Sequence, residues 1–129
     1  MGGRKNLCGI NFHEQMASLS GKETAPHYTW GENCDSWVLA NTASLSVKQE
    51  NMPPGTKEQL HFHSTAQQFF FIIKGTASFI CDNKKDVVFA NSGILIPAGT
   101  KHFIANETKG ELEFLVVSQP STTNDRTNC

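Results

Sequence analysis

Short apolar runs separated by turn signals recur roughly every 8–12 residues from Pro26 onward, and this rhythm limits the possible folds more than any other feature. Glycine, proline, asparagine and aspartate stand between the runs, as in Pro53-Pro54-Gly55 and Asp82-Asn83, and they favour tight turns. The runs that predict strands cover 37–40, 43–50, 59–63, 68–73, 76–81, 87–89, 94–96, 102–105 and 111–118. Many short strands without a long helix are typical of an all-β sandwich or barrel.

A chain of 129 residues is long enough for one domain with a substantial core. We predict an N-terminal extension over 1–24, a single barrel domain over 25–119 and a polar C-terminal tail over 120–129 that is frayed. In the extension, Phe12, Met16 and Leu19 fall on one stripe and predict one or two helical turns.

Charge and hydropathy exclude several classes of partner. The net charge is −1 and no Lys/Arg run exceeds two residues, as in Lys84-Lys85, so the sequence predicts no nucleic-acid partner. No apolar stretch approaches the roughly 20 residues of a membrane span, and no apolar run follows the charged first residues as in a secretory signal. We therefore expect a cytoplasmic protein without a membrane partner. Its four cysteines are scattered without a C-x-x-C pair, which favours free thiols.

Three of the five histidines fall at predicted strand ends. His61 and His63 are two residues apart, so a strand would point both rings to the same face. His102 begins a later strand. Neutral imidazole is the commonest ligand for transition metals, and imidazole-rich sites accept Zn, Fe, Ni, Cu and Mn. The pattern predicts one divalent transition metal, whereas the alternative is three ordinary core or surface histidines. His13 and His27 are predicted to be non-ligands.

The segments around these histidines resemble the two conserved blocks of the cupin superfamily, in particular small stand-alone cupins. In the first block the matching residues are Gly55, His61, His63 and Gly75, with Gln68 where the family usually has Glu. In the second block they are Pro97, Gly99, His102 and Asn106, with Asn91 where Gly is usual. The resemblance implies a jelly-roll barrel, or double-stranded β-helix, that holds one metal inside. It also implies a homodimer formed by outer strands near the N-terminus.

Gln68 is the most consequential departure from that pattern. Its amide is neutral and has no useful basicity, so it would serve as a weak fourth ligand or orient a metal-bound water. Such a site keeps the full charge of the dication and favours bound oxyanions. The alternative is a polar core residue in a barrel that has lost its metal. Glu50 and Glu58 are predicted to have the wrong strand parity to face inward, so no carboxylate replaces the missing one.

The predicted pocket combines polar and apolar side chains, which suits a small, partly apolar ligand. Its predicted lining consists of Gln59, Phe70, Ile72, Leu95 and Asn106. We expect a metal-binding protein that binds or acts on a small organic anion or enol-like ligand. As an enzyme it would be a metal-dependent dioxygenase or isomerase. A non-catalytic ligand-binding or metal-sensing module is the alternative. Sugar isomerisation is a less supported one, since fold alone implies no function.

Overall fold

The computed structural model describes residues 16–129, and this part of the chain contains eleven β-strands and no helix. Consequently no helix in residues 16–129 is long and apolar enough to cross a membrane. The strands are β1 (His27–Trp30), β2 (Cys34–Asn41), β3 (Ser46–Met52), β4 (His61–Phe62), β5 (Gln67–Lys74), β6 (Thr76–Cys81), β7 (Lys84–Phe89), β8 (Gly93–Ile96), β9 (His102–Ala105), β10 (Leu112–Gln119) and β11 (Thr127–Asn128).

Two antiparallel sheets form the body of the protein. The larger has the order β1-β2-β3-β10-β5-β8 and the smaller the order β11-β4-β9-β6-β7. Strands that are distant in sequence are neighbours in both sheets, as in β3 beside β10 and β4 beside β9. The predicted all-β jelly-roll barrel is therefore confirmed.

Most predicted strands lie within a few residues of the observed ones, but both ends of the chain differ from expectation. The tail was predicted to be frayed, and this is wrong: Thr127 and Asn128 form β11 and pair with Phe62 and His61 of β4. β1 was not predicted at all. The part of the predicted helical segment from Met16 onward has no regular structure up to residue 20, and the part before Met16 lies outside the described residues.

Local sequence chemistry explains the tightest turns. Asp82 and Asn83 have φ values of 49° and 69°, which is the left-handed pair that a two-residue hairpin between β6 and β7 requires. Gly75 has a φ of 87°, and a Cβ there would lie 2.5 Å from the carbonyl oxygen of Glu111. Only glycine therefore fits between β5 and β6.

The inward-facing side chains change character along the length of the barrel. On β5 they run from Gln68 through Phe70 to Ile72, and on β10 the residues paired with them run from Ser118 through Val116 to Phe114. The Ile72 and Phe114 end is closed by apolar side chains such as Phe79, Ile104 and Leu112. The opposite end is polar, and the predicted site lies there.

The side of β3 that points into the barrel is the opposite of the predicted one. Ser46, Glu50 and Met52 are buried, and Lys48 lies on the same face of the strand. The sequence analysis predicted that Glu50 faces outward. That prediction is wrong because the barrel end is lined with polar groups, so the polar face of β3 turns inside. Outside this region, Cys34, Cys81 and Cys129 are free thiols, whereas Cys8 lies outside the described residues.

Candidate metal centre

Three predicted histidines meet at the polar end of the barrel. His61 on β4 is the direct cross-strand partner of His102 on β9, and His63 follows β4 by one residue. All three are buried. One ring nitrogen from each lies within 4.8 Å of the others, so one small cation could contact all three.

A backbone carbonyl holds each imidazole in place. The Nδ1 of His61 lies 2.7 Å from the carbonyl oxygen of Gln59, and the Nδ1 of His102 lies 2.8 Å from that of Thr100. The Nδ1 of His63 is hydrogen-bonded to the carbonyl oxygen of Asp125. Because a carbonyl can only accept, the single proton of each neutral ring is on Nδ1. Each Nε2 therefore carries a free lone pair, as metal ligation requires.

Burial keeps the three rings neutral. Desolvation lowers the pKa of His61 to about 3, and it also lowers the pKa of His63 and of His102 below the ordinary value. The neighbouring imidazoles act in the same direction on His61 and His102, since each would repel a second positive charge. At neutral pH the cluster offers uncharged ligands to a cation.

Two details indicate that this cluster fits a cation. The Nε2 of His63 is buried and has no hydrogen-bond partner among residues 16–129, although buried polar atoms are almost always satisfied. The Nε2 of His102 lies 3.2 Å from the Oε1 of Gln68. With the ring proton on Nδ1, these two atoms would face each other with lone pairs, which is the arrangement of two ligands around one cation.

Gln68 reaches the histidines from the opposite sheet. It lies on β5, and its Nε2 donates to the hydroxyl oxygen of Ser118 at 3.0 Å. This bond turns the carbonyl oxygen of the amide toward His102. The sequence had placed Gln68 beside the histidines on the next strand, and the structure brings it there across the barrel.

A cavity of about 480 Å³ opens beside the cluster, and His61, His63 and Gln68 contribute to its wall. Gln59 and Phe70 line it as predicted, and Trp30 lies at its wall.

The other three predicted lining residues lie elsewhere. Ile72 is two residues deeper than Phe70 and packs in the apolar core. Leu95 is 57% exposed on the outer face of β8. Asn106 is buried and stabilises a turn, because its amide donates to the carbonyl oxygens of Met52 and Gly110. His27, a predicted non-ligand, is away from the cluster and bonds to Asp35 at 2.8 Å.

Two carboxylates that were predicted to face away line the same cavity. Glu50 is buried on β3, and Glu58 lies in the segment before β4 with its side chain 14% exposed. Desolvation raises the pKa of Glu58 to about 8, and the charge of Glu50 adds to the effect. Burial also raises the pKa of Glu50. The sequence signal was Met52, an apolar residue on the same face as Glu50, which indicates that this face turns inward.

Three cationic side chains complete the wall, namely Lys48, Lys57 and Arg126. The Nζ of Lys48 donates to the hydroxyl oxygen of Tyr28 at 2.9 Å, and the guanidinium of Arg126 lies 3.9 Å from the carboxylate of Glu58. The cavity therefore combines cations and proton-binding carboxylates beside an imidazole cluster. This arrangement can attract an anion and exchange a proton with it.

The family model described as "Cupin domain" matches residues 48–118, more than half of the chain. This chain is a cupin. Its matched region contains the three histidines, Gln68 and both buried carboxylates.

Relatives of this cupin are named for different functions. It is 30% identical over 113 residues to the oxalate-binding protein of Thermotoga maritima, with 87% of this chain and 80% of that protein covered. It is also 30% identical over 96 residues to a putative mannose-1-phosphate guanylyltransferase of Vibrio cholerae, with 74% of this chain covered. The cupin spans only 20% of that second relative's length.

Solved structures agree on the fold. A sugar phosphate isomerase from a cupin superfamily, from Silicibacter pomeroyi, superimposes with a TM-score of 0.71 at 19% identity, with 81% of this chain and 76% of that chain covered. At this identity the likeness concerns the fold alone.

Proposed function

We propose that this cupin binds one divalent transition metal through the Nε2 atoms of His61, His63 and His102, and that the adjoining cavity binds a small organic anion. The single observation that carries the proposal is the convergence of three neutral, buried imidazoles whose Nδ1 atoms are all held by carbonyls. Gln68 would be the fourth ligand or would orient a ligand there. Zn, Fe, Ni and Mn all suit such a donor set.

The charges of the cavity wall support an anionic ligand. Lys48, Lys57 and Arg126 surround a site in which Gln68 adds no charge to offset the cation. A metal bound there would act as a Lewis acid on a ligand oxygen. The name of the Thermotoga maritima relative, an oxalate-binding protein, is consistent with a small carboxylate as ligand.

Glu58 is the residue best suited to move a proton. In the metal-free protein its pKa is about 8, and a bound dication would lower that pKa toward neutral pH, which is the condition for efficient general acid–base work. Ile104 donates its backbone N–H to Glu58 at 3.2 Å and holds the side chain at the cavity wall. We therefore propose that the cupin catalyses a proton transfer on an enolisable anion, as an isomerase does.

One observation favours a second candidate, a non-catalytic anion-binding module. The amide of Gln68 stands where cupins usually have a carboxylate, so the direct neighbour of the histidines cannot act as a base. In that case the metal and the Lys and Arg side chains of the cavity wall hold the anion. Glu58 stays protonated and is an uncharged residue of that wall. The two candidates differ in whether a bound anion exchanges a carbon-bound proton.

The first experiment tests binding. Metal content is measured by elemental analysis after loading with Zn²⁺, Mn²⁺ or Ni²⁺, and oxalate, malonate and pyruvate are then titrated calorimetrically into the loaded and metal-free protein. We expect one metal per chain and anion binding only to the loaded form. The same titrations on His61→Ala serve as the control, and a variant that retains stoichiometric metal would contradict the site.

The second experiment separates the enzyme from the binder. The loaded protein is incubated with pyruvate in D₂O, and loss of the methyl proton signal is followed by NMR. Exchange that Glu58→Gln slows by about 10²-fold or more, without loss of anion binding, supports proton transfer. Binding without exchange, for pyruvate and for a sugar phosphate tested alongside it, would leave the binding module as the function.

A further inference from the structure

The three imidazoles differ in where their supporting carbonyls come from. Gln59 and Thr100 lie two residues before His61 and His102, so these two rings are held by the segments that lead directly into their own strands. The carbonyl that holds His63 belongs to Asp125, 62 residues away in sequence. One ligand of the proposed metal is therefore positioned by the C-terminal segment 122–129, which we name the C-terminal strap.

Asp125 holds the His63 loop with its side chain as well as its backbone. Its carboxylate accepts hydrogen bonds from the backbone N–H groups of Ser64, Thr65 and Ala66 at 2.7, 3.1 and 2.9 Å. Three donors on one carboxylate make charge-assisted bonds that are stronger than neutral ones, and they lower the pKa of Asp125. The side chain thus fixes the loop, while the carbonyl of the same residue fixes the ring.

The rest of the C-terminal strap is attached to the strand that carries the ligands. Thr127 pairs with Phe62 and Asn128 with His61, and the backbone N–H of Cys129 donates to the carbonyl oxygen of Leu60 at 2.9 Å. Between these anchors, Arg126 brings its guanidinium to the cavity wall. The contacts that hold the strap are therefore contacts to the metal centre and its cavity. Docking of the strap and binding of a metal should consequently affect each other.

We infer that Asp125 is a positioning residue for the metal, and that the C-terminal strap and the metal stabilise each other. The inference rests on the proposed metal site. When the side-chain bonds of Asp125 to the His63 loop are lost, its backbone carbonyl is no longer held against His63. The ring can then rotate and its proton can move to Nε2, which removes the lone pair needed for ligation. Thermodynamic linkage makes this effect reciprocal. If docking of the strap raises the metal-binding constant by some factor, metal binding raises the equilibrium constant for docking of the strap by the same factor.

The chain offers a matched pair of variants to test this. Asp125→Ala removes the bonds to the His63 loop, whereas Thr123→Ala changes the same strap at a side chain whose one hydrogen bond within the described part of the chain is to Ser121. We expect Asp125→Ala to lower affinity for Zn²⁺ about 10- to 100-fold in chelator competition, and Thr123→Ala to remain within twofold of the parent. If Asp125→Ala does not fold, Asp125→Asn is used, with a smaller loss expected.

A double-mutant cycle separates positioning from general loosening of the fold. It is measured with Cu²⁺, which binds imidazole sites most tightly of the divalent metals and so remains measurable when His63 is replaced. In a His63→Ala background, Asp125→Ala should lower affinity by less than twofold, because the ring it positions is gone. An equal factor in both backgrounds would overturn the inference, and so would unchanged affinity in the single variant.

Trypsin gives a second readout that requires no activity. Arg126 is a cleavage site within the strap, and the exposed Lys109, in the turn between β9 and β10 next to the apolar end that Leu112 helps to close, is an internal control. We expect Zn²⁺ to slow cleavage after Arg126 at least tenfold without slowing cleavage after Lys109. Metal that binds but leaves cleavage after Arg126 unchanged would overturn the inference, whereas a parent protein that binds no metal would instead contradict the proposed function.

Discussion

The two ends of the barrel interior carry equally buried side chains of opposite character. On β9, His102 and Ile104 face the same way and each is 1% exposed. Ile104 packs among Phe79, Leu112 and their apolar neighbours, whereas His102 contacts other imidazoles at ring-centroid distances of 4.4 and 5.7 Å. A step of two residues along one strand therefore separates the core from the site.

This difference shows which half of the interior stabilises the fold. Burying an apolar side chain such as Ile104 contributes roughly 1.5–3 kcal/mol. Burying imidazoles and carboxylates removes their hydration, and only hydrogen bonds or a cation restore it. The closed end can therefore supply most of the free energy that stabilises the domain. At the open end, a bound ligand would offset the cost of burying polar groups.

The largest expected effect comes from the closed end. Ile104→Ala should lower the free energy of unfolding by about 2–5 kcal/mol, because it removes buried methyl groups and leaves a void. Urea denaturation of the metal-free protein measures this loss. Zn²⁺ affinity of the folded variant should remain within a few-fold of the parent. A large loss of affinity with little loss of stability would show that the two ends are not separable.

His102 is the other inward-facing residue compared on β9, two positions before Ile104. His102→Ala should lower metal affinity strongly and stability only weakly, which is the reverse of the result for Ile104→Ala. We expect at least a 100-fold loss of Zn²⁺ affinity, since one of the three proposed imidazole ligands is gone, and a smaller loss of metal-free stability than Ile104→Ala gives. Chelator competition and urea denaturation are run on the same preparations. Unaltered metal affinity would mean that His102 is a core residue rather than a ligand.

The sequence predicted this fold well because its signals are local. Turn residues such as Asp82 and Asn83, and the period of two in β5 and β10, are visible within a few positions. The imidazole cluster was predictable from the spacing of His61 and His63 and from the family pattern. β1 and β11 were missed because they have only four and two residues, and their pairing depends on partners that the chain brings together only on folding.

The buried carboxylates were missed for a more general reason. Hydropathy patterning assumes that the polar face of a strand meets water, but in β3 Lys48 and Glu50 meet a cavity. The outer faces of β5 and β8 are correspondingly apolar, with Phe69 and Leu95 substantially exposed. A sequence alone cannot tell which face is inside when the site is polar, unless a residue such as Met52 breaks the pattern. The predicted homodimer stays a prediction.

Glu58 provides a pH test of the polar end. Its pKa of about 8 in the folded protein lies above an ordinary carboxyl value near 4.3, so folding favours the protonated form. That contribution is complete below the unfolded pKa and is lost as pH rises through 8, at about 1.4 kcal/mol per pH unit at most. The nearby charges are Glu50, which raises this pKa, and Arg126, which lowers it.

Glu58→Gln removes this dependence because an amide does not titrate. In the metal-free protein at pH 8, the variant should be more stable than the parent by up to about 5 kcal/mol, and the two should converge toward pH 4.5. Urea denaturation at a series of pH values measures the difference. The comparison uses metal-free protein because a bound dication would itself lower the carboxyl pKa. Parallel curves from pH 4.5 to 8 would mean that Glu58 is hydrated and is not the proton-transfer group.

The smallest effect is expected on the outer wall, where Leu95 distinguishes the two faces of the larger sheet. Leu95 pairs across strands with Phe69, and Ile94 pairs with the inward-facing Phe70. Leu95→Ser should change the free energy of unfolding by less than about 1 kcal/mol, because the side chain already meets solvent, and should leave metal and anion affinity unchanged. Phe70→Leu is the matched inward variant, and it should weaken anion binding because Phe70 lines the cavity. If Leu95→Ser weakened anion binding as much as Phe70→Leu, the cavity assignment would be wrong, since no path leads from the outer face of β8 to the imidazoles except through the sheet.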